Sequence, residues 1–115
     1  MDTKYELIFC VVNAGFSDTA MTAARRAGAT GGTILKGRGI VSKDAEEQYK
    51  ITIQPEKEVL MLLIPKTIKD DVLRALYDFV GLGTDGQGIA FSMPVEKAVG
   101  LKDSGNPESE ERTKE

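Results

Sequence analysis

Histidine and tryptophan are absent from this chain of 115 residues, and cysteine occurs once. Without histidine there is no side chain of the type that most often serves as general base or zinc ligand near neutral pH. The single cysteine, Cys10, lies inside an apolar run and reads as a small buried hydrophobe rather than a nucleophile. A lone buried thiol and the lack of a signal peptide lead to the expectation of a cytoplasmic protein. Long apolar stretches are missing as well. The longest, Leu7–Val12 and Val59–Ile64, hold six residues each, far short of the ~20 that span a bilayer as a helix. No direct membrane insertion is therefore expected.

Charge is scarce in its net amount and local in its placement. The formal net charge of −3 is carried by residues 103–115, where Asp103, Glu108, Glu110, Glu111 and Glu115 outnumber Arg112 and Lys114. With Ser, Gly and Pro and no large apolar side chain, this tail is expected to be disordered, leaving residues 1–102 as one domain. The remaining body has 13 basic and 13 acidic residues. A neutral body argues against a nucleic-acid footprint, which would need a basic face, and no nucleic-acid partner is expected.

Glycine is what the sequence has in plenty. Of twelve glycines, five fall within Gly28–Gly39 and four within Gly81–Gly88. Such density supplies positive φ angles and lets another backbone or a ligand approach closely.

In chain order, Tyr5–Asn13 reads as a strand. Ser17 is the expected N-cap of a helix from Asp18 to about Ala27, with Ala20, Ala23, Ala24 and Ala27 on a face suited to close packing. Thr33–Arg38 is a second strand, and the polar stretch Gly39–Gln48 an exposed loop. Tyr49, Ile51 and Ile53 alternate with polar residues and suggest a short strand, and Pro55 marks a turn. Val59–Ile64 is a strand closed by Pro65. Thr67 with Asp70 forms a variant capping box for a helix through Val80, ended by Gly81 or Gly83. Ile89–Met93 is a fourth main strand, and Pro94 is the expected first residue of a helical turn Val95–Val99. Two successive β-α-β units give a βαββαβ, ferredoxin-like α+β sandwich with an extended loop between strands 2 and 3. In that plan the first and third strands are central, and both are apolar at consecutive positions. Successive side chains point to opposite faces, so the face without helices needs cover, most simply from other copies of the chain.

Two apparent nucleotide motifs fail on context. Gly81-Leu82-Gly83-Thr84-Asp85-Gly86 satisfies G-x-G-x-x-G but follows a helix and leads into a strand, the reverse of a dinucleotide-binding site. Gly32 to Gly37 has the gap of a P-loop, yet Arg38-Gly39 replaces the Lys-Ser/Thr pair. Backbone N–H groups in glycine loops can still cradle phosphates without either motif. Asp70 and Asp71 sit in a helix first turn, where the macrodipole accounts for them.

Gly31-Gly32-Thr33-Ile34-Leu35-Lys36-Gly37-Arg38-Gly39, the polar loop, the strand end at Pro65, and Gly83-Thr84-Asp85-Gly86-Gln87-Gly88-Ile89-Ala90-Phe91 with Pro94-Val95-Glu96 resemble the PII signal-transduction proteins. The resemblance covers roughly residues 4 to 102 in register. It implies a homotrimeric regulator, not an enzyme, with adenine nucleotide (AMP, ADP or ATP) held in clefts between subunits; no metal is expected, since Val41 stands where the family has its magnesium-side glutamine. It also implies a long loop that contacts a target protein such as a membrane transporter or metabolic enzyme.

Carried over position by position, the resemblance places Thr33 near the adenine and Gly37 and Gly39 at the base of the target-binding loop. Lys57 matches a basic position in the cleft, Gly83, Gly86, Gln87 and Gly88 form the phosphate-side loop, and Lys102 stands for a C-terminal arginine. Ile40, Val41, Ile89 and Gly100 replace four polar residues of the family, three of them cationic. Arg38 is the candidate to compensate, although a strand turns it to the opposite face from its neighbours. Charge-assisted phosphate contacts contribute about 1.5–3 kcal/mol each, so these losses favour AMP or ADP over MgATP. Tyr49 lies near the loop exit rather than its tip, which counts against modification by nucleotidyl transfer. The rival reading is a small ferredoxin-like enzyme or a metal-binding trimer similar to the copper-tolerance relatives of PII. The lack of histidine and the burial of Cys10 count against both.

Overall fold

The computed structural model describes residues 4–40 and 55–101. The 39–48 loop from residue 41 onward, including Val41, the short strand expected at Tyr49–Ile53, Lys102 and the acidic tail lie outside the described residues. The elements are β1 (Tyr5–Asn13), α1 (Ser17–Arg26), β2 (Thr33–Arg38), β3 (Glu56–Pro65), a 3-10 turn (Lys66–Ile68), α2 (Lys69–Val80) and β4 (Ile89–Val95). The four strands form one antiparallel sheet in the order β2-β3-β1-β4. This is the ferredoxin-like α+β arrangement that the sequence predicts, with β1 and β3 at its centre.

Alternation along the strands divides the sheet into two faces. Ile8, Cys10 and Val12 of β1 and Leu60, Leu62 and Ile64 of β3 are at most 1% exposed and form the core with Ala20, Met21 and Ala24 of α1 and Val72, Leu76 and Val80 of α2. Full burial of each large aliphatic side chain contributes about 1.5–3 kcal/mol. The small residues of α1 let that helix lie close to the sheet. On the other face stand Leu7, Phe9, Val11, Val59, Met61 and Leu63, each only half-buried, beside the exposed Leu35, Ile89, Phe91 and Met93. Phe9 and Phe91 are in register and stack with ring centroids 5.4 Å apart. Among the described residues, no helix covers this face. Among the described residues, no helix is long and apolar enough to cross a membrane.

Helix ends account for most differences from the sequence reading. Gly28, at φ +114°, ends α1 in a Schellman motif: its N–H donates to Arg25 O at 3.0 Å, and Ala29 N–H donates to Ala24 O at 3.0 Å. Ser17 is not the N-cap. Phe16 holds that position, and Ser17 is buried within the first turn. The expected capping box at Thr67 and Asp70 is replaced by the 3-10 turn, with Ile68 in the cap position of α2 and no side-chain cap bond. Lys66 N–H donates to Lys4 O at 2.8 Å, which fastens this turn to the start of β1. The helical turn expected at Val95–Val99 is also absent, because β4 continues through Pro94 to Val95. Proline is tolerated there because β4 is an edge strand.

Candidate functional site

One end of the sheet gathers the residues singled out from the sequence. Gly37 of β2, Lys57 of β3 and Asn13 of β1 stand in register across three neighbouring strands. Lys57 Nζ donates to Asn13 Oδ1 at 2.6 Å. The stem of Lys57 runs beside Gly39, where an added Cβ would lie 3.0 Å from Lys57 Cε. Gly39 N–H donates to Pro55 O at 2.6 Å. That bond closes the base of the segment between β2 and β3, the position the resemblance gives to Gly39.

The second glycine cluster folds onto the same end. Gly81 ends α2 and forms an isolated parallel bridge with Gly88. Gly88 N–H donates to Val80 O at 2.6 Å, Thr84 N–H to Gly81 O at 3.0 Å and Gln87 N–H to Thr84 O at 3.0 Å. Gln87 holds φ +46°, a conformation uncommon outside glycine. A Cβ at Gly88 would strike Val80 O and lie 2.9 Å from Val12 Cγ1. The loop is thus tight by its own packing, and Gly86 and Gly88 are glycines for an intrachain reason. Gly37 and Gly83 differ: a Cβ at either meets nothing within 4 Å.

Asn13 joins this loop to β3. Its backbone N–H donates to Gly86 O at 2.9 Å and its Nδ2 to Asp85 O at 3.0 Å. Only 6% exposed, it uses both ends of its side-chain amide. Beside it, Glu58 Oε1 accepts the N–H of Gly15 at 2.8 Å and of Ser17 at 3.2 Å. Glu58 on β3 thereby accepts the first N–H of α1, a donor that the helix itself leaves open, whereas among the described residues no side chain takes the local cap role expected of Ser17. The Gly15 N–H bond, then the Ser17 side chain, hold the Glu58 carboxyl below its ordinary range, against a smaller opposing effect of burial.

A carboxylate whose pKa is lower folded than unfolded stabilises the fold above the unfolded value, and this is lost as pH falls through the folded value. Glu58→Gln should therefore lower the melting temperature most near neutral pH. The difference from wild type should shrink as pH drops below the usual carboxylate range, about 4. Thermal melts of both proteins over that range test this.

Of the other residues singled out, Thr33 pairs with Met61 near mid-sheet on the helix-free face, four residues along β2 from Gly37. Arg38 pairs with Glu56 and alternates to the face opposite Gly37. Cys10 is a free, buried thiol, and burial pushes its pKa up to about 11. Among the described residues, no cluster of three or more Cys, Asp or Glu side chains is placed to hold a metal ion. No sequence motif marks Asn13 or Glu58 as a site residue. Glu58 carried a signal, since it extends the helix-facing row Leu60, Leu62, Ile64 to the end of the sheet where α1 begins.

The PII protein of Arabidopsis thaliana, solved with bound citrate, superposes with a TM-score of 0.61 at 19% identity, over 82% of this chain and 77% of that one. A putative PII-like signalling protein from Thermus thermophilus superposes with a TM-score of 0.60 at 20% identity, over 83% and 90% respectively. No sequence-family model matches the chain, and no curated protein matches it by sequence. In its fold, this chain is a PII-type ferredoxin-like protein.

Proposed function

We propose that the chain is a divergent PII-like signalling protein: a cytoplasmic homotrimer that binds an adenine nucleotide between subunits and regulates a protein partner through the 39–48 loop. The observation that carries this reading is the joining of Lys57, the base of that loop and the second glycine cluster at one end of the sheet through Asn13. The uncovered apolar face supports the trimer. Strand spacing supports the position of the cleft. Gly37 on β2 lies two strands from β1, roughly 10 Å, so the two glycine segments sit toward opposite edges of one sheet and meet most readily when contributed by neighbouring copies. The citrate bound to the Arabidopsis protein is consistent with a small anionic effector here.

AMP or ADP is the favoured nucleotide, because Ile40, Ile89 and Gly100 supply no charge to further phosphates. Lys57 remains, but its ammonium must leave the Asn13 oxygen to reach a phosphate. Lys57→Ala should therefore weaken binding by about 1.5 kcal/mol, the low end for a charge-assisted bond. A thermal-shift screen of adenine nucleotides against wild type and this variant tests the reading: stabilisation by AMP or ADP, reduced in the variant, is expected. A screen in which no adenine nucleotide shifts the wild-type melt would refute it.

A further inference from the structure

Asn13 belongs to neither glycine cluster, yet it holds both sides of the candidate site. Its Oδ1 accepts Lys57 Nζ at 2.6 Å while its Nδ2 donates to Asp85 O at 3.0 Å. The amide dipole joins these two bonds. An ammonium on the oxygen polarises the group and strengthens donation from its nitrogen, and it fixes which way the amide faces. Withdrawal of the ammonium removes both effects. The Asn13 backbone adds a third tie, from its N–H to Gly86 O, so two successive loop carbonyls are drawn toward Asn13.

Peptide units are planar, and among the described residues none is cis. Because Asp85 C=O faces Asn13, the N–H of Gly86 in the same unit points the opposite way. Asn13 thus sets the direction in which the loop presents that donor.

We propose that Asn13 is a positioning residue that makes the aim of the 81–88 loop depend on whether Lys57 is engaged elsewhere. An anion that draws Lys57 off Asn13 loosens the hold on the Asp85–Gly86 unit, and the loop responds to a charge it does not itself touch. As a response to nucleotide this deepens the binding function proposed above and rests on it, whereas the linkage itself belongs to the unliganded protein.

The test is amide hydrogen exchange of the unliganded full chain, read at Gln87 and Gly88, for wild type, Lys57→Met, Asn13→Ala and the double variant. Lys57→Met preserves the stem at a half-buried strand position and carries the test even if Asn13→Ala fails to fold. It should speed exchange at both amides by about three- to tenfold, the range expected for loss of one hydrogen bond, although Lys57 bonds to neither. The double variant should exchange no faster than Asn13→Ala. Unchanged exchange in Lys57→Met, or additive effects in the double variant, would overturn the proposal. A parallel AMP titration of the wild type separates the two readings: absence of binding counts against the nucleotide function, while the exchange data decide the linkage.

Discussion

Leu62→Glu is expected to unfold the chain, whereas Leu63→Glu, one residue on, should leave it folded but dissociate the oligomer. Leu62 is 0% exposed beneath the helices, and a carboxylate buried there without a partner costs several kcal/mol, a large part of a total stability of about 5–15 kcal/mol. Leu63 pairs with Leu7 on the opposite face and is only half-buried in the single chain. Its substitution puts a charge into the proposed subunit interface and nowhere else. Circular dichroism distinguishes folded from unfolded chains, and ultracentrifugation gives the oligomeric state. If wild type sediments as a monomer at micromolar concentration, the trimer is wrong.

The second large effect falls on the loop before β4. Gly88→Val places side-chain atoms against Val80 O and Val12 Cγ1 and displaces the Gly88 N–H bond to Val80 O. Because one obstacle is backbone and cannot rotate away, a destabilisation of about 3 kcal/mol is expected, the upper part of the usual overpacking range. Any loss of nucleotide binding in this variant would therefore report on folding. Gly83→Ala is the cleaner probe. Its Cβ meets nothing within 4 Å, so stability should change by less than about 0.5 kcal/mol. Denaturant titration of both variants checks this, and a fall in nucleotide affinity at Gly83→Ala would place a phosphate at that residue.

Strand periods made the sheet legible in the sequence. Tyr5–Asn13 and Thr33–Arg38 coincide with β1 and β2, and the unbroken apolar runs in β1 and β3 mark those strands as central. Local rules misplaced the termini, because tertiary partners act there: Glu58, 41 residues from Ser17, accepts the Ser17 N–H at the start of α1, a donor with no acceptor inside the helix. Pro94 reads as a helix start in isolation, but an edge strand spares it the cost of a missing donor. The glycine clusters were visible, whereas their division of labour was not. Only the folded chain separates Gly88, which is packed against Val80, from Gly83, which is open. Asn13 left no trace in the sequence, since its role depends on Asp85 and Lys57, which are 72 and 44 residues away.

Calorimetric titration of the full chain with AMP, ADP and MgATP, the last with and without 2-oxoglutarate, decides whether this chain is an adenine-nucleotide sensor. One site per chain is expected, with AMP or ADP bound more tightly than MgATP and little change on adding 2-oxoglutarate, because Val41 stands where the family has its magnesium-side glutamine. Tight MgATP binding strengthened by 2-oxoglutarate would contradict the ranking, and no heat with any adenine nucleotide would contradict the function.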